Sequence, residues 1–207
     1  MKTLVDRNES SLIEDGRDFA LLMVLPPVGV VGLWLLLSWI LGKGIDSQAT
    51  TFIIIWLSLF GGLVAFPLFY MKLSHHLIQL TDFGLILPGW KSIIPLAAIL
   101  FITIVTMGAR ERPIVLILLQ YLPVALCEEF WSKGVLFLLA TRIFKYRLLQ
   151  VVIPALAFSF ILHIGDPILG NLIARFPMGV ICGFIYLKTK TLAWPVVLHL
   201  SYDMIIA

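Results

Sequence analysis

The sequence predicts an all-α, polytopic membrane helix bundle with about seven transmembrane helices. Of its 207 residues, 60% are hydrophobic and 13% are charged, and the mean hydropathy is +1.04. No soluble domain buries that much apolar surface. The apolar residues also gather into runs near the ~20 residues that a helix needs to cross ~30 Å of hydrocarbon. The chain reads as a single integral membrane domain over 1–207, without an internal repeat, a low-complexity segment or a linker. A formal net charge of +3 says little about nucleic acid, and no such partner is expected. The expected surroundings are the lipid bilayer.

The first eighteen residues are polar and of mixed charge. The apolar run after them, at about 19–41, is too long for a typical signal-peptide core and lacks a small-x-small cleavage site, so it is expected to stay as a helix. A second run follows at 51–71. The stretch Lys72–Lys91 is amphipathic, with turns expected at Asp82-Phe83-Gly84 and Pro88-Gly89, and reads as a loop or surface helix on the cytoplasmic face. Within it His75 and His76 are adjacent, so they cannot share a helix face, and interfacial decoration is the plainer reading.

The third run, 92–108, and the fifth, 149–164, are short, as expected where helix ends are buried in the bundle rather than in lipid. The fourth, 114–141, is interrupted by charge and long enough to tilt or break, which allows an eighth helix there. The sixth and seventh fall at 168–187 and 191–206. Cys127 and Cys182 both lie in apolar segments and imply no disulfide framework.

Under the seven-span reading, Lys2, Arg7, Arg17, Lys72, Lys91, Arg142, Lys145, Arg147, Lys188 and Lys190 collect on one side of the membrane, against Lys43, Arg110 and Arg112 on the other. That bias puts the N-terminus in the cytoplasm and the C-terminus outside, with the cell membrane as the expected location. Lys133 and Arg175 remain as intramembrane cations.

Chemistry concentrates at Cys127-Glu128-Glu129-Phe130-Trp131-Ser132-Lys133-Gly134. A charged side chain near the bilayer centre costs at least about 2.5–3.5 kcal/mol on insertion scales, so three within six residues need a purpose. On a helix Glu129 and Lys133 share a face, acid before base, and form a structural ion pair. Glu128 projects about 100° away and has no local partner. Two further segments carry polar groups at depth. His163 ends the fifth run ahead of Asp166-Pro167, and His199 and Asp203 stand one helical turn apart in the last. Arg175 can snorkel or pair with an acid, and Asp166 on its own can be a helix cap.

A lone intramembrane histidine is often a packed bundle residue. Glu128, Glu129, His163, His199 and Asp203, spread over three segments, have no evident structural task. Two Glu and two His suit either metal-free general acid–base catalysis or a zinc site, although no His-Glu-x-x-His occurs. Ser132, Ser159 and Ser201 lack a glycine-flanked elbow and are explained as well by helix packing.

In these residues the chain resembles the CPBP (Abi) family of intramembrane proteases, which includes the type II CAAX prenyl endopeptidases and bacteriocin-processing enzymes. The family's E-E-x-x-x-R stands here as Glu128-Glu129-x-x-x-Lys133, followed by the typical Gly134. Its F-x-x-x-H ends at His163, with Ser159 in the Phe position between Phe158 and Phe160. Its H-x-x-x-N stands as His199-x-x-x-Asp203, approached through Gly183–Lys190 and Trp194-Pro195, and Asp82–Leu85 resembles a short element ahead of the core. The similarity covers about 114–204. Lysine for arginine keeps the charge but loses the bidentate fork. Aspartate for asparagine replaces a donor with an acceptor unless it is protonated.

The resemblance implies a CAAX-protease-like glutamic endopeptidase that cuts a membrane-associated peptide or protein and needs no metal or other cofactor. It implies that Glu128 and His163 activate water, that His199 with Asp203 beside it stabilises the oxyanion, and that Glu129 with Lys133 locks the helix and biases the charge of Glu128. The alternative is a non-catalytic relative acting as a membrane immunity or partner-binding protein, which the Lys133 and Asp203 departures favour and the retained Glu128, His163 and His199 argue against more strongly. A proton-coupled transporter would show duplicated halves with interrupted helices, and none is found. The charge bias carries its own test. Reporters fused at residues 1 and 207 should lie on opposite sides of the membrane, and two cytoplasmic reporters would reject seven spans.

Overall fold

The computed structural model of the chain describes residues 9–41, 47–74, 79–107 and 113–206. Among these, seven helical rods appear in the expected order and no strand occurs. They are α1 (Glu9–Leu41), then α2 (Gln48–Ser74), α3 (Trp90–Met107), α4 (Ile114–Ile143), α5 (Arg147–Leu162), α6 (Ile168–Thr189) and α7 (Ala193–Ile206). The fold is the all-α membrane bundle. The rods α1 to α4 and α6 are long and apolar enough to cross a membrane, while α5 and α7 are shorter apolar helices. His75, His76, Lys43, Arg110, Arg112, Lys2 and Arg7 lie outside the described residues.

The rod α4 is the axis of the bundle and packs against α1, α2, α5 and α7. It runs through the Glu-Glu-Lys cluster as one continuous helix, so the eighth helix allowed there does not form. The reason is burial, since every residue from Cys127 to Phe137 is withdrawn from the surface. A break would strand backbone N–H and C=O groups where no water reaches them. Instead the helix widens into a π turn over Phe130–Leu136. Similar wide turns occur at Phe60–Ala65 in α2, Ala157–Leu162 at the end of α5 and Asn171–Arg175 in α6.

Shortness has different causes in different rods. In α5, Val151, Ala155, Ala157 and Phe158 are buried along its middle, but Leu148 and Leu149 at its start are exposed, so its ends are not both covered. In α7, Pro195, Val196, His199, Leu200, Ser201 and Met204 are buried. In α3, Met107 at the end is buried, while Trp90, Ile93 and Ile94 at the start, and Phe101, Ile102 and Val105 further on, are exposed. That rod presents its side chains to the surroundings of the bundle.

Two prolines inside helices are compensated by tryptophans of other rods. Pro26 has no N–H, so the Leu22 carbonyl one turn earlier loses its helical donor. The Trp131 indole donates to that oxygen at 2.8 Å. Pro123 likewise frees the Leu119 carbonyl, and Trp56 donates to it at 2.9 Å. These bonds tie α1 to α4 and α4 to α2 at the places where the helical ladder is weakest.

The segment before α3 is more than a surface loop. Leu80–Phe83 forms a 3-10 turn, with the Asp82 carboxylate accepting from the Gln79 N–H at 2.9 Å. Gly84 closes the turn at φ 77°, in the left-handed region. Phe83 is driven into the core and packs on Phe130 at 5.5 Å between centroids. Gly134 makes this possible, because a Cβ there would stand 3.0 Å from the Phe83 carbonyl oxygen. Further bonds fix the loop to the α6–α7 turn, from the Leu192 N–H to the Gly84 carbonyl at 3.0 Å and from the Thr191 hydroxyl to the Ile86 carbonyl at 2.8 Å.

Trp131→Phe keeps the aromatic packing but orphans the buried Leu22 carbonyl. An unsatisfied buried acceptor costs about 1–3 kcal/mol. The variant should insert normally and lose thermal stability, measured as a lower melting temperature in detergent. An unchanged melting temperature would mean that the bond contributes nothing.

Candidate active site

Glu128 and Glu129 are the last regular residues of α4 before its wide turn. Their side chains diverge. Glu129 is fully buried and meets its own helix, with Lys133 Nζ 3.2 Å from Oε2. Its other oxygen, Oε1, reaches α7 and lies 3.0 Å from His199 Nδ1. The expected Glu129–Lys133 pair therefore forms, but it is more than a helix lock. The same carboxylate orients an imidazole on another rod.

Lys133 is held from several directions. Its ammonium donates to Ser132 Oγ at 3.0 Å and sits 4.9 Å from the centroid of the Phe158 ring. Ser132 in turn donates to the Glu128 carbonyl at 2.8 Å. Ser159 donates to the Ala155 carbonyl at 2.9 Å, so both serines serve helix packing as expected. Ser201 Oγ is buried without a hydrogen-bond partner among the described residues.

Glu128 turns into the space between α4, α5 and α7, toward the other nitrogen of His199. Its Oε2 lies 3.5 Å from His163 Nε2 and 3.8 Å from His199 Nε2. At the same nitrogen of His199, Asp203 Oδ2 is 3.4 Å away. The structure thus gathers Glu128, Glu129, His163, His199 and Asp203 into one cluster. Glu128 Oε2 and His163 Nε2 are both buried without a hydrogen-bond partner among the described residues. Buried polar atoms left open in this way call for a small hydrogen-bonding molecule.

Phe158 forms the wall shared by the two histidines. Its ring meets His163 edge-on at 5.2 Å and His199 edge-on at 5.5 Å. The family pattern places an aromatic four residues before this histidine, where Ser159 stands. The wide turn explains the shift. With i→i+5 spacing, residues five apart share a face, and Ala157–Leu162 is such a turn. Phe158 thereby takes the position that the spacing of a regular helix assigns to Ser159.

Three residues around His163 are less legible in the sequence. Asp166 does not cap α6, whose cap position is Pro167; its Oδ2 lies 3.2 Å from His163 Nδ1. Arg175 pairs with an acid, Asp166, at 2.9 Å. Asn171, buried in α6, donates from its side chain to the His163 carbonyl at 2.9 Å. The one available signal for Asn171 was an amide inside an apolar run, and it fell outside every motif. Among the described residues no group of three or more His, Cys, Asp or Glu is arranged to hold a metal ion.

One comparison with known proteins bears on this cluster. Residues 110–205 match the family described as type II CAAX prenyl endopeptidase Rce1-like. This region is similar to that family. The match takes in just under half of the chain, includes every residue of the cluster, and accords with the resemblance to the CPBP family. No curated protein and no solved structure matches the chain. The family description names an endopeptidase, and the apolar rods identify an integral membrane protein.

The double role of Glu129 leads to an expected outcome. Glu129→Gln leaves Lys133 charged and unpaired, and breaking one side of a buried pair costs about 3–5 kcal/mol. Lower abundance and melting temperature should follow. Adding Lys133→Met should recover most of the stability but not any function that needs a carboxylate on His199 Nδ1. Full functional recovery in the double variant would reduce Glu129 to a helix lock.

Proposed function

We propose that this protein is an intramembrane endopeptidase that hydrolyses a membrane-anchored or amphipathic peptide with water activated by Glu128 and His163. The observation that carries the proposal is the pair of unpartnered buried atoms, Glu128 Oε2 and His163 Nε2, 3.5 Å apart. With Nδ1–H donated to Asp166, the neutral His163 ring presents a lone pair at Nε2. A carboxylate oxygen and an imidazole lone pair then face one spot, where a water can donate to both.

In the reaction, Glu128 takes a proton as the water oxygen bonds to the peptide carbonyl carbon. The carbonyl oxygen becomes the oxyanion and is met by His199, whose doubly protonated ring offers Nε2–H while Nδ1–H stays on Glu129. Asp203 steadies that Nε2–H in the resting site. The tetrahedral intermediate collapses, the C–N bond breaks, and Glu128 returns its proton to the leaving amine. No step draws on a metal ion. Ile164, Ile168, Leu169 and Leu172 are exposed beside His163, an apolar approach suited to a substrate arriving from the bilayer.

Glu128→Gln preserves shape and hydrogen bonding but cannot take up the proton. Turnover of a membrane peptide should fall at least about 100-fold, a typical general-base contribution, with insertion and melting temperature unchanged and with wild-type activity surviving prolonged chelation. Comparing membrane peptides in cells carrying the wild type and Glu128→Gln identifies the substrate for that assay. Equal turnover would reject the peptidase reading in favour of a non-catalytic membrane protein, and activity restored only by zinc would replace the metal-free mechanism.

A further inference from the structure

Around His163, Asp166, Arg175 and Asn171 close a ring of contacts that none of the family motifs contains. Starting at the imidazole, Nδ1 lies 3.2 Å from Asp166 Oδ2. The same oxygen lies 2.9 Å from Arg175 Nη2. Arg175 Nη1 donates to Asn171 Oδ1 at 2.8 Å, and Asn171 Nδ2 donates to the His163 carbonyl at 2.9 Å. The circuit begins and ends on one residue, gripping its ring at one end and its backbone at the other.

The backbone explains why such a grip is needed. His163 follows directly on the wide turn of α5 and leaves the helix at φ −106°, ψ 37°. Its carbonyl accepts from the Asp166 N–H at 3.1 Å as well as from Asn171. A histidine at a frayed helix end would otherwise be free to turn about its side-chain torsions. Here Phe158 limits the ring on one side and the Asp166 carboxylate on the other.

We propose that Asp166, Arg175 and Asn171 are positioning residues for the hydrolysis, holding His163 in its Nδ1–H tautomer with Nε2 aimed at the water shared with Glu128. The inference rests on the proposed peptidase function. Each member has one task that its chemistry suits. A carboxylate can only accept while ionised, so it demands the proton on Nδ1. A guanidinium can only donate, so Arg175 holds the Asp166 oxygen in place while its second arm fixes the Asn171 oxygen. With that oxygen taken, the Asn171 amide must present N–H to the His163 carbonyl. The orientation of each group dictates the next.

The test substitutes Asp166→Ala in the full chain, reconstituted in lipid nanodiscs. The oxygen shared by Arg175 Nη2 and His163 Nδ1 is then gone, and nothing demands the proton on Nδ1. The ring is free to populate its Nε2–H tautomer, the wrong one for accepting a hydrogen bond from the water. Nitrogen-15 NMR of histidine-labelled protein, with His163 assigned by loss of its signal in His163→Gln, should show this change of tautomer. Turnover should fall about 10–100-fold, short of the full general-base contribution of about 10²–10⁴, with KM changed by less than about twofold. Should Asp166→Ala not fold, the charge-neutral double variant Asp166→Ala with Arg175→Met removes the grip without an unpaired cation. In that variant both tautomers should appear, with a similar loss of turnover.

A His163 that keeps the single Nδ1–H tautomer in either folded variant would overturn the proposal, as would unchanged turnover. Absence of peptidase activity in the wild type would instead reject the proposed function, and the tautomer measurement would still decide whether the ring of contacts orients His163.

Discussion

Much of this bundle depends on one carboxylate. Glu129 is completely buried and carries two obligations at once, the Lys133 ammonium at 3.2 Å and the His199 imidazole at 3.0 Å. An ionised carboxylate withdrawn from water is tolerated only when countercharge and hydrogen bonds replace its hydration. Lys133 supplies the charge and His199 the directed hydrogen bond. Meeting both binds α4 to α7 at the depth where Glu128, His163 and Asp203 also converge. The electrostatic cost of burying charge in an apolar protein thereby becomes a constraint on geometry.

Around that carboxylate the helices are irregular, and the irregularities have identifiable partners. The wide turn of α4 begins one residue after Glu129, and the wide turn of α5 ends one residue before His163. A regular α-helix would set Phe158 about 140° round from His163, whereas five-residue spacing sets them on one side. Two of the proline interruptions leave free carbonyls that tryptophans from neighbouring rods satisfy. Such substitutions are obligatory where no water is available for the freed groups. Helix deformation and inter-helix contact are thus one phenomenon here, since each local defect is repaired by a side chain far away in sequence.

Read chemically, the cluster separates into two halves. On the His199 side the groups are paired by charge, with carboxylates near both ring nitrogens and Lys133 behind Glu129, although Glu129 Oε2 has no hydrogen-bond partner among the described residues. On the His163 side, Nε2 and the facing Glu128 oxygen are left open. The departures from the motifs that the chain resembles fall mainly in the charge-paired half. Lys133 satisfies Glu129 through a single ammonium without needing a bidentate fork, and Asp203 meets a ring nitrogen that can donate to it.

The helices, their order and the identity of the central acids were legible in the sequence because they follow from local rules. Apolar runs of spanning length mark rods, and a four-residue interval pairs Glu129 with Lys133 and His199 with Asp203. The separation of Glu128 from that pair followed from helical geometry alone. What the sequence left open depends on contacts between segments distant along the chain. The grip of Glu129 on His199 spans α4 and α7, and the burial of Phe83 requires Gly134 of another element. Asp166, Asn171 and Arg175 have meaning only once the α5–α6 turn folds back on itself. Phe158 takes the place of Ser159 beside His163 only through the wide turn. The sequence by itself determined the membrane rods and the acids and histidines that they carry, because spacing on a single helix is set by backbone geometry. Only the tertiary structure decided which of those groups meet and which nitrogen faces which oxygen, because those choices depend on how the rods pack.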